Sequence, residues 1–197
     1  MRVIGGTAKS IPLASLRGAR VRPTLDRVRE SLFNQIAGEI EGARLLDLFA
    51  GSGAVGIEAL SRGAAEVVFV ELNSRAQAVI YQNLAKCRFL DTEGEEKKSK
   101  NWILLKSNAL HALKVLAERH HRFDCVYVDP PYAKDLYEET LTALAHSGLL
   151  AESARVIAEH HHKTALQENY DRLVLTKTRQ IGDTCLSFFS PASPDSA

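Results

Sequence analysis

From Gly42 onward, short apolar runs alternate with amphipathic stretches, the pattern of strands and helices following one another in a mostly parallel sheet covered on both faces. Residues 44–49 read as a first strand. Residues 50–56 form a glycine-rich turn into a helix at 57–62, and residues 65–70 form a second strand ending at Glu71. A helix at 74–86 follows, then a strand at 102–105, a helix at 110–118, a strand at 124–128, a helix at 136–145 and a strand at 154–158. Residues 172–176 and 184–189, joined through Ile181-Gly182-Asp183, predict a closing antiparallel hairpin at the sheet's edge. Upstream, residues 2–4 and 10–13 are separated by Gly5-Gly6 and read as a short hairpin. Thr24 is placed to cap a helix whose apolar positions are Leu25, Val28, Leu32, Phe33 and Ile36. The expected organisation is an arm and helix over 1–40, a core over 41–190 and a frayed tail over 191–197.

The run at 124–128 ends abruptly in Asp129-Pro130-Pro131-Tyr132. Two prolines cannot continue a strand's ladder, and each fixes its own φ while holding the preceding residue extended. Asp129 and the carbonyl of Pro130 therefore make a preorganised pair of acceptors beside an aromatic ring. A planar exocyclic amine of adenine, cytosine or guanine supplies two N–H donors for such a pair, with its ring against Tyr132. From average residue usage, Asp-Pro-Pro-aromatic arises by chance about 10⁻⁵ times per position, which favours function over coincidence.

The glycine turn admits two ligands. Gly51-Ser52-Gly53-Ala54-Val55-Gly56 fits G-x-G-x-x-G, with Glu71 twenty positions after Gly51, as in dinucleotide-binding proteins. Asp47, however, lies inside the first strand, where a carboxylate opposes a pyrophosphate and suits the amino and sulfonium groups of S-adenosylmethionine. Glu71 can accept from ribose hydroxyls under either reading, and Asn108 can reach an adenine edge. Together with the Asp129 motif, Asp47 shifts the balance to a methyl donor.

Composition narrows the setting. The chain has 197 residues, 45% of them hydrophobic, enough for one full-sized core. Its formal net charge of +1 gives no overall signature of a polyanion partner, so a nucleic-acid footprint must be local. Such a patch exists: Arg2, Lys9, Arg17, Arg20, Arg22, Arg27 and Arg29 precede Glu30 and are opposed over that span by Asp26 alone. Arg2, Lys9, Arg17, Arg22, Arg27 and Arg29 are the candidate phosphate contacts. Cys87, Cys125 and Cys185 form no C-x-x-C pair and read as reduced buried thiols. Residues 1–6 lack a secretion-signal core, and no apolar run approaches the roughly 20 residues that span a bilayer, so a cytoplasmic location without membrane contact is expected. His160 and His162 alternate onto one strand face, but no third ligand is spaced to complete a site, and no metal is expected. The mixed-charge segment at 91–100 reads as a solvated loop.

Three blocks carry a resemblance: Arg22-Pro23-Thr24 through Asn34, Leu46-Asp47-Leu48-Phe49-Ala50-Gly51-Ser52-Gly53 through Ala64, and Asp129-Pro130-Pro131-Tyr132. Together they resemble the bacterial 16S rRNA guanine-N2 methyltransferase family, ribosomal small-subunit methyltransferase D. The resemblance implies an α/β class I methyltransferase fold, Rossmann-like and seven-stranded, with a short basic N-terminal arm. It also implies S-adenosylmethionine as donor, methylation of a guanine N2 amine, and 16S rRNA or a partly assembled 30S subunit as partner to a monomeric enzyme. By position, Asp47, Gly51, Gly53 and Glu71 correspond to donor-binding residues, and Asp129, Pro130, Pro131 and Tyr132 to the target-amine motif; Phe49 and Asn108 complete the candidate donor-binding set. One departure is plain: the family's Trp-Arg-Gly-Arg after the first glycines is here Thr7-Ala8-Lys9-Ser10, a less basic arm. Competing functions are a DNA adenine or cytosine amino-methyltransferase, a protein-glutamine methyltransferase, a non-catalytic RNA-binding assembly factor and an NAD-dependent oxidoreductase.

Overall fold

The computed structural model describes residues 1–16, 23–90, 101–131 and 134–192. Tyr132, Arg17, Arg22, the segment 91–100 and most of the expected tail lie outside the described residues. The elements run α1 (Pro23–Gln35), β1 (Arg44–Asp47), α2 (Ala54–Ser61), β2 (Glu66–Val70), α3 (Ser74–Lys86), β3 (Trp102–Leu105), α4 (Ala109–Glu118), β4 (Phe123–Val128), α5 (Lys134–His146), β5 (Leu150–His161), β6 (Asn169–Tyr170), β7 (Leu173–Ile181) and β8 (Thr184–Pro191).

One sheet of order β3-β2-β1-β4-β5-β8-β7-β6 contains all these strands. The seven anticipated strands are joined by β6, a two-residue edge strand too short to leave an apolar signature. Pairings from β3 through β5 are parallel, and β8, β7 and β6 follow antiparallel. β5 is much longer than the apolar stretch 154–158 predicted. Its polar end, Glu159 to His161, stays laddered against Leu186 to Thr184, and a ladder does not require apolar side chains. Two further boundaries moved. α1 begins at Pro23, ahead of Thr24, because proline's missing N–H is not needed in a helix's first turn. α2 begins at Ala54, three residues before the expected start, because the glycine turn closes directly into it.

Both faces of the sheet's central parallel strands β1, β2 and β4 are buried, as parallel strands require. On one face Leu45, Val67, Phe69, Tyr127 and Ile157 pack with α1, α2, α3 and the arm; on the other Leu46, Val68, Val126 and Val156 pack with α4 and α5.

The arm doubles back as anticipated. Arg2 bridges Pro12 in antiparallel fashion, with Val3 N–H donating to Ile11 O at 3.0 Å and Ser10 N–H to Val3 O at 2.9 Å. What fastens it to the core is Glu58, fully buried on α2, whose carboxylate accepts from the N–H groups of Ile4 (2.7 Å) and Gly5 (2.8 Å) and from Arg62 Nε (2.7 Å). Arg29 Nε lies 3.6 Å from the same carboxylate. Ser61 adds to the seam, its hydroxyl accepting from Ala8 N–H at 2.8 Å and donating to Gly5 O at 2.6 Å. Removing one partner of a buried charge pair strands the other charge and the amides it served. Glu58→Ala is therefore expected to lower the unfolding free energy by about 3–5 kcal/mol in urea titration, with faster hydrogen exchange at the Ile4 and Gly5 amides. An unchanged midpoint would show that the arm is held by something else.

Candidate active site

Because β1 to β5 run parallel, their carboxyl ends share one edge of the sheet. The strand order reverses between β1 and β4, where the connections to either side leave a crevice. Asp47 ends β1 and Asp129 follows β4, so the topology places these two carboxylates at the crevice, with Glu71 after β2 and Asn108 after β3 on its flank.

The donor side is built around the glycine turn. Gly53 has φ of +75°, a left-handed conformation that side chains disfavour, and it directs the chain from β1 into α2. Gly56 lets α2 lie directly on β2, since a Cβ there would stand 2.2 Å from Phe69 Cε1. Gly51 N–H donates to Glu71 Oε2 at 2.8 Å and Asn73 N–H to Glu71 Oε1 at 2.7 Å, fixing the Glu71 carboxylate across the turn. Gln77 steadies the same residue through its carbonyl at 2.8 Å. Phe49 is half-buried and packs against the α4–α5 side of the core. Asn108 does two things: its Oδ1 caps α4 by accepting from His111 N–H at 2.9 Å, leaving its amide N–H groups as the part that could meet a ligand.

Asp47 is 2% exposed, and its Oδ2 accepts from Gly56 N–H at 3.3 Å. Burial pushes its pKa from 3.8 up to about 7; the Gly56 hydrogen bond opposes that rise and the Glu71 charge adds to it. A cation beside Asp47 would restore the ionised form. Leu72, next to Glu71, is 68% exposed, an apolar side chain presented at the crevice that the sequence pattern did not single out. Paired carboxylates, a glycine turn at a helix N-terminus and an exposed apolar side chain suit a ligand with an ammonium, ribose hydroxyls and a flat base. S-adenosylmethionine fits this set.

On the acceptor side, Asp129 is exposed at the mouth and Pro130 is buried behind it. Surrounding protein, then Glu159 and Asp47, push the Asp129 pKa upward, an effect that its contact with solvent moderates. Glu159 and Tyr127 are site residues that the sequence reading missed. The Tyr127 hydroxyl, on a residue 5% exposed, donates to Glu159 Oε2, and burial raises the pKa of Glu159 while Tyr127 and Arg29 oppose the rise. The available signal was a carboxylate ending an apolar strand, the same feature that marks Asp47.

Of the arm's candidate cations, Arg2, Lys9 and Arg27 are exposed and have no ion-pair partner among the described residues. Arg29 corrects the sequence reading. It is 4% exposed and faces inward, with Nη2 donating to Arg2 O and to Asp26 Oδ1 (3.0 Å), so it organises the arm rather than meeting phosphate. The histidines also differ from expectation: His160 is buried against Ser187 Oγ at 2.9 Å, while His161, His162 and Asp183 converge at the exposed hairpin end. A groove of about 910 Å³ lies between α4 and α5, on the sheet face opposite the side chains of Asp47 and Tyr127.

This sheet order, glycine turn and paired crevice define the fold of the S-adenosylmethionine-dependent methyltransferases. The solved structure of yhhF from Escherichia coli superposes with a TM-score of 0.81 at 31% identity, covering 98% of both chains. Residues 1–190 match the family described as Conserved hypothetical protein 95. YlbH of Bacillus subtilis is 35% identical over 189 residues, 96% of this chain and 98% of its own. The ribosomal RNA small subunit methyltransferase D of Escherichia coli K12 is 37% identical over 166 residues, 84% of this chain and 77% of its own. The chain belongs to this family, that of ribosomal small-subunit methyltransferase D.

Asp47 gives two linked expectations. Its folded pKa of about 7 lies above the unfolded value of 3.8, so the folded state holds an extra proton between those values and loses stability as pH rises through that window. Asp47→Asn is thus expected to raise the unfolding free energy at pH 8, by at most roughly 4 kcal/mol, while weakening S-adenosylmethionine binding at least tenfold in calorimetry. For the unsubstituted protein, donor affinity should fall toward tenfold per pH unit below about 7, as binding must expel the Asp47 proton. A flat affinity profile between pH 5.5 and 8 would rule out that linkage.

Proposed function

We propose that this protein methylates the exocyclic N2 amine of a guanine in 16S rRNA, in the cytoplasm and during assembly of the small subunit. The observation that carries this reading is the placement of Asp129, with Pro130 next to it, near Asp47 across the switch point of the sheet. The Escherichia coli relative named for small-subunit rRNA supports the choice of polymer.

Bound S-adenosylmethionine would supply an electrophilic methyl carried on a sulfonium. Asp47, Glu71 and the turn at Gly51 and Gly53 orient that donor, Phe49 and Leu72 bound its apolar side, and Asn108 offers an N–H to its base. The nucleophile needs more help, because the lone pair of an exocyclic amine is delocalised into its ring. Asp129 and the Pro130 carbonyl each accept one N2 hydrogen, drawing the nitrogen toward tetrahedral geometry with its lone pair aimed at the methyl. Pro131 keeps the turn rigid, and Tyr132 stacks on the unpaired base, a contact worth about 1–3 kcal/mol. As N2 bonds to the methyl carbon, the carbon–sulfur electron pair stays on sulfur, and the surplus N2 proton passes to Asp129. Its upward-shifted pKa makes Asp129 a better acceptor than an ordinary carboxylate. Arg2, Lys9 and Arg27, with Arg17 and Arg22, contact phosphates of the monomer's RNA partner.

Labelled methyl transfer to 16S rRNA, presented naked and as partly assembled 30S particles, should yield N2-methylguanosine on nucleoside analysis. Methyladenosine, or no product from either substrate despite donor binding, would overturn the reading. Asp129→Ala is expected to lower kcat by roughly 10²-fold or more with donor affinity unchanged within about twofold. For the arm, joint replacement of Arg2, Lys9 and Arg27 by alanine should weaken RNA binding and flatten log K against log salt by about 2, from roughly 0.7 per lost single-strand phosphate contact. Arg29→Ala should instead lower the thermal midpoint, and a salt slope that changes with Arg29 alone would reverse that division of roles.

A further inference from the structure

A second carboxylate stands next to Asp129, and neither donor binding nor the capture of the amine uses it. β4 and β5 run parallel with Tyr127 opposite Ile157 and Val128 opposite Ala158, so the next residues, Asp129 and Glu159, come side by side on one face just beyond the last β4–β5 pair. Glu159 is held from two directions: the Tyr127 hydroxyl donates to its Oε2, and the Tyr137 hydroxyl donates to its main-chain oxygen at 2.6 Å. Its other carboxylate oxygen, Oε1, accepts no hydrogen bond among the described residues. Arg29, fixed beneath the arm, provides the positive charge that favours the ionised form. The carboxylate is therefore anchored by one oxygen, and the other remains an open acceptor on the face that Glu159 shares with Asp129.

Guanine differs from adenine and cytosine in what flanks its amine. Beside N2 it carries a second donor, N1–H, pointing the same way, whereas adenine and cytosine carry a ring-nitrogen lone pair beside their amines. We propose that Glu159 is the specificity-determining residue, its free Oε1 accepting the N1–H of guanine while Asp129 and the Pro130 carbonyl hold the N2 amine. This inference rests on the guanine-N2 reading above and deepens it. An adenine or cytosine edge would oppose its lone pair to a carboxylate, leaving two acceptors face to face and unpaired. Sites built to pair with a substrate N–H reject analogues that lack it far more strongly than apolar pockets reject a missing methylene.

The test replaces the target guanine, once mapped, with 2-aminopurine, which keeps the N2 amine but presents N1 as an acceptor. Wild-type enzyme is expected to prefer guanine by roughly 10²-fold or more in kcat/KM. In Glu159→Gln the amide oxygen can still accept from Tyr127, and its NH2 faces the base. The guanine to 2-aminopurine ratio should then fall at least tenfold, with S-adenosylmethionine affinity unchanged as the check on folding. If Glu159→Gln does not fold, Glu159→Asp, which withdraws the charge by one methylene, should lower the same ratio by a smaller factor. Wild-type transfer to guanine with an unaltered ratio in the folded variant overturns the role of Glu159 and leaves the guanine reading intact. Absence of N2-methylguanosine from the wild-type reaction overturns both.

Discussion

The parallel pairing of β1 with β4 is the constraint on which the rest depends. With Leu46 opposite Val126 and Asp47 opposite Tyr127, two strands distant in sequence end at the same height on the same sheet edge. β1 then delivers the carboxylate and glycine turn suited to a donor, and β4 delivers the acceptor pair suited to an amine. A slip of one residue in β1 would turn Asp47 to the face opposite Tyr127 and separate the two halves. Burial of both sheet faces prevents it, because the same slip would exchange the apolar sets packed against α2 and α5.

That edge gathers four carboxylates, Asp47, Glu71, Asp129 and Glu159, in a protein whose formal net charge is +1. Loss of solvent pushes Asp47, Asp129 and Glu159 toward their neutral forms, and neighbouring carboxylates add to the rise at Asp47 and Asp129. Such an arrangement destabilises the unliganded fold and is relieved by a cation or by N–H donors. It is thus poised for ligands that supply both, and the cost of assembling it is offset by the apolar packing below the crevice.

The arm is continuous with this machinery. Asn83, fully buried on α3, accepts from Ala14 N–H at 2.7 Å and donates to Ala14 O at 3.0 Å and to Ser52 O at 2.9 Å, linking the arm to the glycine turn. Arg29 and Glu58 make a similar link between the arm, α1 and α2. The basic N-terminal segment and the donor loop are therefore parts of one packed unit, with exposed cations on its outer surface.

Much of this was legible from local pattern. The alternation of apolar runs gave the strands and helices of the core, since burial on both faces leaves near-continuous apolar stretches. Asp129-Pro130-Pro131 announced itself because proline acts on its immediate neighbours. The sequence by itself thus determined the α/β class, the glycine turn and the rigid acceptor pair, all consequences of residues adjacent in the chain. Tertiary structure alone decided that Arg29 faces inward, that Glu58 holds the arm, that Asp47 sits where its pKa approaches 7, and that Glu159 stands beside Asp129. These depend on contacts between residues about 10 to 55 positions apart. A charge reads identically in sequence whether water or a buried partner surrounds it, and packing makes that distinction.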